Sequence, residues 1–300
     1  MVHVGVVVVT LNALPYLIPC LESVQRYDTV VVDHGSTDGT PELVAERFPN
    51  VKLVRQENRG LAFGWNRGMD ELGSRRYFLF LNADAWMVDG AVDKLVAFAN
   101  AHPDVAVVGP KLLSQDGTIQ RSVRGFPTTW RLATQYLLLR RLGPRSRIFN
   151  AAAGAGFDYN DVFEAEWLIG AAMLVRNDAI SEIGELDESF FLFSEEVDWC
   201  YRFKRAGWKV VYLPDAEAIH VGEASHGGLM VREFVRSNLR YMAKHHGRGT
   251  AERARRVMLA GVTMRALLHR GLKRRANREA AHWLASGSAE ELLARPRESE

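Results

Sequence analysis

Residues 4–40, VGVVVVTLNALPYLIPCLESVQRYDTVVVDHGSTDGT, decide the fold class of this chain. Two short, β-branched, apolar runs, Val4–Val9 and Thr29–Val32, flank a segment with helical spacing at Leu14–Arg26. Strands that are apolar throughout are typical of a parallel sheet that is covered on both faces. The stretch therefore predicts an α/β protein with a doubly wound, mostly parallel sheet, which binds ligands at the carboxyl ends of its strands.

The same alternation continues outward from this stretch. In the first half we predict further strands at Val51–Val54, Tyr77–Leu81 and Val105–Val108, and helices at Thr40–Phe48, Leu61–Leu72 and Gly90–Ala101. The pattern loosens at residues 114–165, where Trp130–Leu142 has the spacing of an amphipathic helix. It resumes with strands at Glu166–Val175 and Lys209–Leu213, and with helices at Asn177–Ile183 and Ser194–Ala206.

Composition bounds the class of protein. A hydrophobic fraction of 47% over 300 residues is enough for a substantial core. Two cysteines, Cys20 and Cys200, lie far apart, which argues against a disulfide framework or a Cys-rich zinc site and favours a reducing compartment. No basic leader and no apolar run of about 20 residues is visible, so we expect no secretory signal, no membrane span and a cytoplasmic location.

Charge is distributed unevenly along the chain. Residues 229–300 hold 16 Lys and Arg against 7 Asp and Glu, whereas residues 1–228 hold 22 against 29. The C-terminal part reads as helical and basic, with apolar residues between its cations, and we predict a basic helical extension there. Such a segment is suited to lie on an anionic membrane; the alternative is a helical appendix that packs on the domain or is used for oligomerisation. Nothing in it provides the aromatic or base-reading context of nucleic-acid binding.

Polar residues stand at the carboxyl ends of the first two predicted strands. Thr10 and Asn12 follow the first strand, and Asp33 opens the segment DHGSTDGT after the second. A carboxylate at this place accepts a hydrogen bond from a nucleobase N–H or a ribose hydroxyl. The structural alternative is that Asp38 caps the next helix while the glycines turn the chain. Residue patterns alone leave both interpretations open.

A glycine-spaced segment, ENRGLAFGWNRG, occupies residues 57–68. Its glycines recur every four residues, so a helix places them on one face, where its backbone approaches a neighbour closely. In one interpretation Asn58 and Asn66 then face a ligand. In the other, the glycine face simply packs on the sheet.

Two residues near predicted strand ends are candidate ligands for a divalent cation. Asp84 follows an apolar strand in the segment LNADA, where a carboxylate is placed to bind a cation that bridges diphosphate oxygens. His220, in the segment PDAEAIHVG, joins it as a ligand if the two converge. Turn aspartates and lone histidines are more often structural, so each signal is weak alone.

Three carboxylates crowd the first turn of the helix predicted at Ser194–Ala206. Glu195, Glu196 and Asp198 directly follow a run of apolar residues. Acids at a helix start favour the helix dipole, which is a structural interpretation. One cap and one acid suffice for that purpose, so the surplus beside an apolar wall equally indicates a general base. Arg202 is spaced to pair with Glu195 or Asp198.

Taken in order, seven segments resemble the inverting family-2 glycosyltransferases with a GT-A fold, in particular their bacterial rhamnosyltransferase-like branch. The segments cover residues 4–228, and they are VVVTLN, VVDHGSTDGT, ENRGLAFGWNRG, FLFLNADA, EWLIGAAMLVR, GELDESFFLFSEEVDWCYRFKRAGW and PDAEAIHVG. The motifs of P-loop kinases, Rossmann dehydrogenases, zincins and α/β-hydrolases are absent, which argues against those classes.

The resemblance implies a glycosyltransferase domain at residues 1–228 and the basic extension at 229–300. Within the domain, residues 1–113 are expected to bind the nucleotide sugar and residues 114–228 the acceptor. The implied nucleotide-sugar site consists of Thr10, Asn12, Asp33, Asn58, Gly60, Asn66 and Asp84.

The resemblance also implies the chemistry. Asp84 and His220 match ligands of Mn²⁺ or Mg²⁺ on the diphosphate, and Glu196 matches the base that deprotonates the acceptor hydroxyl in a single, inverting displacement. Glu195 and Asp198 are expected to be catalytic with Glu196. The residues assigned to the acceptor are Trp167, Gly170, Ala171 and Arg202.

Four positions depart from the family pattern. Asn82 stands where an aspartate begins the metal motif, and Ala83 where this branch often has proline. Glu196 is one methylene longer than the usual aspartate. His34 stands where a small amide is common.

The expected partners follow from the same resemblance. We expect transfer of rhamnose from dTDP-rhamnose to a polysaccharide or lipid-linked glycan, with a UDP-hexose or UDP-N-acetylhexosamine donor as the second choice. A sugar nucleotidyltransferase shares a similar sheet, but the early Gly-rich, Arg/Lys-bearing signature of that class is missing. A non-catalytic nucleotide-sugar binding module remains as an alternative of another class. Peripheral contact with the inner face of the plasma membrane, through the basic helices, is also expected.

Overall fold

The computed structural model describes residues 4–150, 153–222 and 230–294, apart from the side chain of Arg147. The chain forms two compact units. The first consists of Met1–Arg124, Asp158–Phe191 and Glu195–Ser225, and the second of Gly125–Phe157, Leu192–Ser194 and His226–Glu300.

The first unit is built on a mixed sheet. The strands of the described residues are β1 (Val4–Thr10), β2 (Asp28–Asp33), β3 (Lys52–Arg55), β4 (Tyr77–Asn82), β5 (Ala85–Met87), β6 (Val105–Leu113), β7 (Ile119–Gln120), β8 (Val123–Arg124), β9 (Phe163–Glu164), β10 (Trp167–Leu168), β11 (Ala172–Arg176) and β12 (Lys209–His220). The main sheet has the order β3-β2-β1-β4-β11-β6-β12-β5, with β7 on β6 and β9 on β12, while β8 and β10 form a separate pair.

Helices cover this sheet or form the second unit. In chain order they are α1 (Leu14–Ser23), α2 (Thr40–Arg47), α3 (Leu61–Leu72), α4 (Ala91–Ala101), α5 (Thr129–Tyr136), a 3₁₀ helix (Leu139–Leu142), α6 (Arg147–Asn150), α7 (Asn177–Ile183), α8 (Glu195–Arg205), α9 (Val231–His246), α10 (Arg248–Leu268), α11 (Gly271–Ala285) and α12 (Ala289–Ala294). The predicted α/β class and the C-terminal helices are confirmed.

The parallel strands bring polar residues to one edge of the sheet. β2, β1 and β4 are parallel neighbours, and their registers place Thr10 opposite Asp33 and Val9 opposite Asn82. β3 continues the row, with Arg55 opposite Asp33. Because the carboxyl ends of parallel strands coincide, the loops after β1, β2 and β4 meet at the same edge.

One predicted strand and one predicted helix are each divided in the structure. The strand expected at Glu166–Val175 is interrupted after Leu168, because Ile169 N–H bonds Ser122 O (2.9 Å) in the small sheet. Beyond the break, β11 runs antiparallel to β4 and β6. The helix expected at Trp130–Leu142 ends at Tyr136 and resumes as the 3₁₀ turn, because Leu138 adopts a left-handed φ of 61°.

The second unit is a helical assembly. α10 packs against α5, α9, α11 and α12, and it buries Met258, Val262 and Ala266. A side chain at Gly261 would lie 2.5 Å from Tyr136 Cβ, so this glycine lets α10 approach α5 closely. Within the described ranges, the structure has no helix whose length and apolar character would let it traverse a bilayer.

Candidate active site

Two predicted donor-site residues, Thr10 and Asp33, face each other at the edge of the sheet. The Asp33 carboxylate is fully buried, and its Oδ2 accepts the N–H groups of Gly35 (3.2 Å) and Ser36 (3.1 Å). In the described part of the chain, Thr10 Oγ1 and Asp33 Oδ1 are buried and have no hydrogen-bond partner. Buried polar oxygens are normally bonded, so this pair fits a site that a ligand with hydrogen-bond donors completes.

The loops that follow β1 and β2 hold each other in place. Asn12 has a left-handed φ of 51°; its N–H donates to Ser36 Oγ (2.8 Å), and its Oδ1 accepts Thr37 N–H (2.9 Å). Asp38 caps both neighbouring segments, since it accepts Leu14 N–H (3.0 Å) and Thr40 N–H (3.0 Å). The structural interpretation of Asp38 is therefore the observed one, and Asn12 holds its side chain on the opposite loop.

His34, in the loop after β2, lies against α3. Its Nε2 lies 3.1 Å from Gln56 Nε2, and its ring is in hydrogen-bond contact with Asn58. Burial lowers the pKa of the imidazole, against smaller opposing effects of Asn58 and Asp33. A Cβ at Gly64 would lie 2.8 Å from His34 Nε2, so the ring requires a glycine there.

The glycine face of α3 packs on the sheet, as the second interpretation of that segment predicted. A Cβ at Gly68 would lie 2.3 Å from Val7 Cγ1. Gly60, with φ of 101°, lies against the loop before α8, where Leu61 N–H donates to Phe191 O (2.7 Å). Asn58 Oδ1 accepts Gly60 N–H (3.1 Å), which fixes the turn into α3.

Asn66 does not join the strand-end cluster, which consists of Thr10 and Asp33. It is buried on the face of α3 away from the glycines. Its Nδ2 donates to Leu186 O (3.0 Å), and its Oδ1 accepts the N–H of Leu186 (3.1 Å). It also donates to Glu188 (3.1 Å). These contacts make Asn66 a tie between α3 and the segment that leads to α8.

Asp84 and His220 do converge. β5 pairs with β12 so that Ala85 lies opposite His220, which leaves 3.5 Å between Asp84 Oδ1 and His220 Nε2. Both side chains are nearly buried, 11% and 12% exposed. The convergence fulfils the condition under which the sequence predicted a cation site.

Gln120 orients the histidine. Its Nε2 donates to His220 O (2.6 Å) and to Ser114 Oγ (3.1 Å), so its Oε1 faces His220 Nδ1 at 2.9 Å. Because that oxygen only accepts, Nδ1 carries a hydrogen, and Nε2 is the ring atom that faces Asp84. At this distance Nε2 pairs with the carboxylate when it is protonated, and it shares a cation with the carboxylate when it is not.

The donor set fits a divalent cation only in part. Among residues 4–150, 153–222 and 230–294, no group of three or more His, Cys, Asp and Glu side chains is arranged to hold a metal. Mg²⁺ commonly takes one or two carboxylates and completes its shell with water and substrate phosphates. One carboxylate and one oriented imidazole therefore fit a cation that binds together with a diphosphate.

The three carboxylates of α8 have different environments. Glu195 and Asp198 are buried, 3% and 0% exposed, whereas Glu196 is partly exposed. Arg202 pairs with Asp198 (Nε to Oδ2, 2.9 Å), one of the two pairings expected. The same guanidinium donates to the carbonyls of Ile183, Gly184 and Glu185, so Arg202 fastens α8 to the preceding loop.

The backbone before α8 is strained. Phe193 and Ser194 both have φ of 67°, the left-handed region that non-glycine residues rarely adopt. Strain of this kind concentrates at functional sites, where surrounding contacts hold it.

The segment between β10 and β11 connects the cation pair to the carboxylates. Asn82 N–H donates to Ala171 O (2.9 Å), which ties the segment to the end of β4. A Cβ at Gly170 would lie 3.7 Å from Glu196 Cβ and 2.7 Å from the Trp65 ring. The segment predicted for the acceptor therefore lies between the end of β4 and Glu196.

Arg55 and Gln120 lie outside the quoted segments and were not predicted. Arg55 lies 3.8 Å from the Asp33 carboxylate, and Gln120 orients His220. Both positions depend on strand pairing or on a distant segment, and only the β3 register with Asp33 was accessible as a sequence signal. Trp167, which was predicted for the acceptor, has a buried indole Nε1 without a hydrogen-bond partner within the described residues, and so has Trp65.

Comparison with known proteins gives a family and a fold. A model described as Glycosyl transferase family 2 matches residues 5–162. The N-acetylglucosaminyl-diphospho-decaprenol L-rhamnosyltransferase of Mycobacterium tuberculosis (strain ATCC 25618 / H37Rv) is 30% identical over 257 residues, which is 80% of each chain.

Two solved structures are similar in fold. A mannosyltransferase from Pyrobaculum calidifontis in complex with GDP-Man and Mn²⁺ has a TM-score of 0.56 at 20% identity, covering 97% of this chain and 78% of that one. GalNAc-T7 with UDP, GalNAc and Mn²⁺ has a TM-score of 0.53 at 15% identity; the match covers 73% of this chain but only 43% of GalNAc-T7.

Proposed function

The chain belongs to glycosyl transferase family 2 and is a glycosyltransferase with the GT-A fold, and we propose that it transfers L-rhamnose from dTDP-rhamnose to a lipid-linked glycan. The mycobacterial relative supports both halves of this proposal, because its name gives L-rhamnose as the sugar and a diphospho-decaprenol-linked N-acetylglucosamine as the acceptor. Similarity over four fifths of both chains supports a related substrate class.

The nucleoside of the donor binds at the strand-end cluster. Asp33 Oδ1 and Thr10 Oγ1 accept its hydrogen-bond donors, and the interlocked loops of Asn12 and Ser36 form a rigid wall. The neutral His34 imidazole stands beside this pocket, where burial lowers its pKa. A rigid pocket reduces the ordering entropy that nucleotide binding otherwise costs.

Asp84 and His220 are the residues that would hold Mn²⁺ or Mg²⁺ for the diphosphate. The proposal is supported by their 3.5 Å separation and by the contact of Gln120 with His220 Nδ1. When bound, a divalent cation neutralises the charge that develops on the departing nucleoside diphosphate. The chain itself supplies the preorganisation, because Gln120 fixes the imidazole before any ligand arrives.

Glu196 is the general base, and one observation carries this assignment. Of the three carboxylates in the first turn of α8, Glu196 alone is partly exposed and lies beside Gly170 in the predicted acceptor segment. Glu196 takes the proton of the acceptor hydroxyl. The hydroxyl oxygen attacks the anomeric carbon from the face opposite the leaving nucleoside diphosphate. A single displacement inverts the anomeric configuration.

Glu195, Asp198 and Arg202 position the base. Asp198 is fully buried and pairs with Arg202. The guanidinium of Arg202 also donates to main-chain carbonyls of residues 183–185. Glu195 is buried as well. Burial of both carboxylates favours a role in holding α8 over direct contact with the acceptor.

A donor panel tests the proposed function. The full-length protein, with Mn²⁺, is given dTDP-rhamnose, UDP-hexoses or UDP-N-acetylhexosamines and an N-acetylglucosaminyl-diphospho-lipid acceptor, and products are read by mass spectrometry and NMR. We expect a rhamnosylated product whose anomeric configuration is opposite to that of the donor.

The other results are equally informative. Transfer only from a UDP-sugar would replace the donor assignment by the second choice. Absence of both transfer and binding of dTDP or UDP would contradict catalysis and favour a non-catalytic module.

Contact with an anionic membrane through the C-terminal helices is part of the same proposal. A lipid-linked acceptor stays at the bilayer surface, and residues 229–300 carry 16 Lys and Arg against 7 Asp and Glu. Cations within a Debye length of an anionic leaflet are attracted to it.

A further inference from the structure

Two segments of the helical unit combine cations with exposed aliphatic side chains. Residues 140–148 and 265–278 contain ten Lys and Arg and no Asp or Glu. Every large hydrophobic side chain that is more than 60% exposed in the described parts of the chain lies in these two segments. They are Leu142 (75%), Ile148 (67%), Leu267 (74%), Leu268 (63%) and Leu272 (67%).

The leucines of the second segment lie at the turn between α10 and α11. α10 ends at Leu268, and Gly271 opens α11 with φ of 58°. Met258 and Val262 are buried and form the face of α10 that packs in the core. Leu267, Leu268 and Leu272 therefore extend beyond the packed face, and such patches mark interaction surfaces.

Arg265 fastens the last turn of α10 to α5. Its Nη2 donates to Gln135 O (2.6 Å), and its Cζ lies 5.2 Å from the centre of the Tyr136 ring, at the end of α5. Burial lowers the pKa of Arg265, and the positive charge of Arg140 adds to this effect. The α10–α11 turn therefore begins next to a residue that is held on α5.

We propose that the α10–α11 turn is a membrane anchor: Leu267, Leu268 and Leu272 insert into an anionic bilayer, and Arg270, Lys273 and Arg274 contact lipid phosphates. The proposal rests on the proposed function, since a lipid-linked acceptor gives the surface its use. Interfacial segments bury their apolar side chains about 5–10 Å into the headgroup and acyl boundary. Only the turn inserts, while the rest of α10 keeps its packing against α5, α9, α11 and α12.

Charge and apolarity together select lipid over other occupants. A second copy of the chain would bring ten like charges against ten, which repel. Nucleic acid would satisfy the cations but would leave the leucines in water, because its backbone offers them no apolar partner. An anionic bilayer matches both features of the turn.

Vesicle binding by the full-length protein tests the anchor. Vesicles of phosphatidylcholine alone and with about one third phosphatidylglycerol are co-sedimented with the wild type and with Leu267→Ser/Leu268→Ser/Leu272→Ser. We expect binding to the anionic vesicles only, and a loss of at least tenfold in the serine variant, because burying each leucine is worth about tenfold or more. Ile119→Ser/Val162→Ser, which removes exposed aliphatics of the first unit (45% and 49% exposed), should bind as the wild type does.

The cations of the turn have a matched control in α10, the helix that precedes them. Arg270→Gln/Lys273→Gln/Arg274→Gln should weaken binding about 100-fold, since each cation near an anionic surface contributes about fivefold. Arg248→Gln/Arg253→Gln/Arg256→Gln makes the same change in net charge at the other end of α10, where all three side chains are also exposed. It should weaken binding by less than fivefold, and equal losses in the two triple variants would overturn the anchor.

A fluorophore reports insertion directly. Both native cysteines are buried, and burial raises the pKa of Cys200 to about 12, so an introduced surface cysteine is labelled selectively. A polarity-sensitive dye on Leu268→Cys should shift to shorter wavelength with anionic vesicles, whereas the dye on Arg253→Cys should not. No shift at Leu268→Cys would contradict insertion.

Three further results would overturn the anchor while leaving the proposed function standing. They are vesicle-independent dimerisation that the serine variant abolishes, binding to an oligonucleotide in place of vesicles, and full transfer by the serine variant to an acceptor embedded in vesicles. Transfer to a water-soluble acceptor analogue should be unchanged in all anchor variants. If the wild type itself does not transfer the sugar to the soluble analogue, the result counts against the proposed function instead.

Discussion

The contact between Gln120 and His220 illustrates how a residue outside any motif acts on the site. His220 has two ring nitrogens, and the 2.9 Å contact with Gln120 Oε1 engages Nδ1 as a hydrogen-bond donor. The other nitrogen then faces Asp84 Oδ1 at 3.5 Å. Partners of this kind orient metal-binding histidines and raise their basicity.

Gln120→Leu should therefore weaken Mn²⁺ binding in the presence of dTDP about 10- to 100-fold, because the imidazole loses the acceptor that fixes its tautomer. Calorimetry or electron paramagnetic resonance of Mn²⁺ measures this without turnover. Gln25→Leu, at an exposed glutamine of the same unit, serves as the control. An unchanged Mn²⁺ affinity in Gln120→Leu would remove Gln120 from the account.

At the scale of elements, the site depends on how closely α3 approaches β1. Gly68 lies against Val7 and Gly64 against Val9 and His34, with no room for a Cβ at either position. Glycine in a helix interior costs about 0.5–1 kcal/mol relative to alanine, so these glycines are retained for packing. The close approach places α3 beside His34, in the loop after β2.

Gly68→Ala should lower the free energy of unfolding by about 1–3 kcal/mol, because a methyl group 2.3 Å from Val7 Cγ1 overpacks the interface between α3 and β1. Gly249→Ala in α10, where no atom lies within 4 Å of the added methyl, should stabilise slightly. Urea unfolding followed by circular dichroism compares them. The close-approach argument fails if both variants are stabilised.

The elements also show what the sequence could predict. Apolar runs such as Val4–Val9 identified the strands, because strand period and buried composition are local properties. Polar residues at the strand ends gave Thr10, Asp33 and Asp84 as candidate site residues for the same reason. The break after Leu168 was not accessible, since it depends on Ile169 bonding Ser122, a partner 47 positions away. Gln120 was missed for the same reason: its partner is 100 residues distant.

At the scale of the whole molecule, two compact units divide the chain. Proteins of this kind need not unfold in one step, so stability changes are assigned unit by unit. In the helical unit, Glu252 joins α10 to α12: it accepts Arg255 Nη2 (2.7 Å), Arg256 Nε (3.1 Å) and Ala289 N–H (3.0 Å). Arg255 above all lowers the pKa of Glu252 from 4.5 to about 2.

This shift predicts a pH dependence for the helical unit. Because the folded pKa is lowered, the stabilisation by Glu252 is complete above about pH 4.5 and is lost as the pH falls toward 2. Glu252→Gln should lower the melting temperature at pH 6 and reduce the further drop between pH 5 and pH 3. Glu290→Gln, at a surface pair with Arg248 (2.8 Å), should leave that drop as in the wild type. An equal drop in wild type and Glu252→Gln would contradict the prediction.

The most direct test of the account is transfer by Glu196→Gln, with dTDP binding measured on the same preparation. Glu46→Gln, at an exposed glutamate of α2, is the matched control. We predict that Glu196→Gln loses about 10²–10⁴-fold in kcat, because the amide cannot accept the acceptor's proton, while its Kd for dTDP stays within a few-fold of the wild type. Transfer by Glu196→Gln at the wild-type rate would contradict the assignment of Glu196 as the base and, with it, the proposed arrangement of the active site.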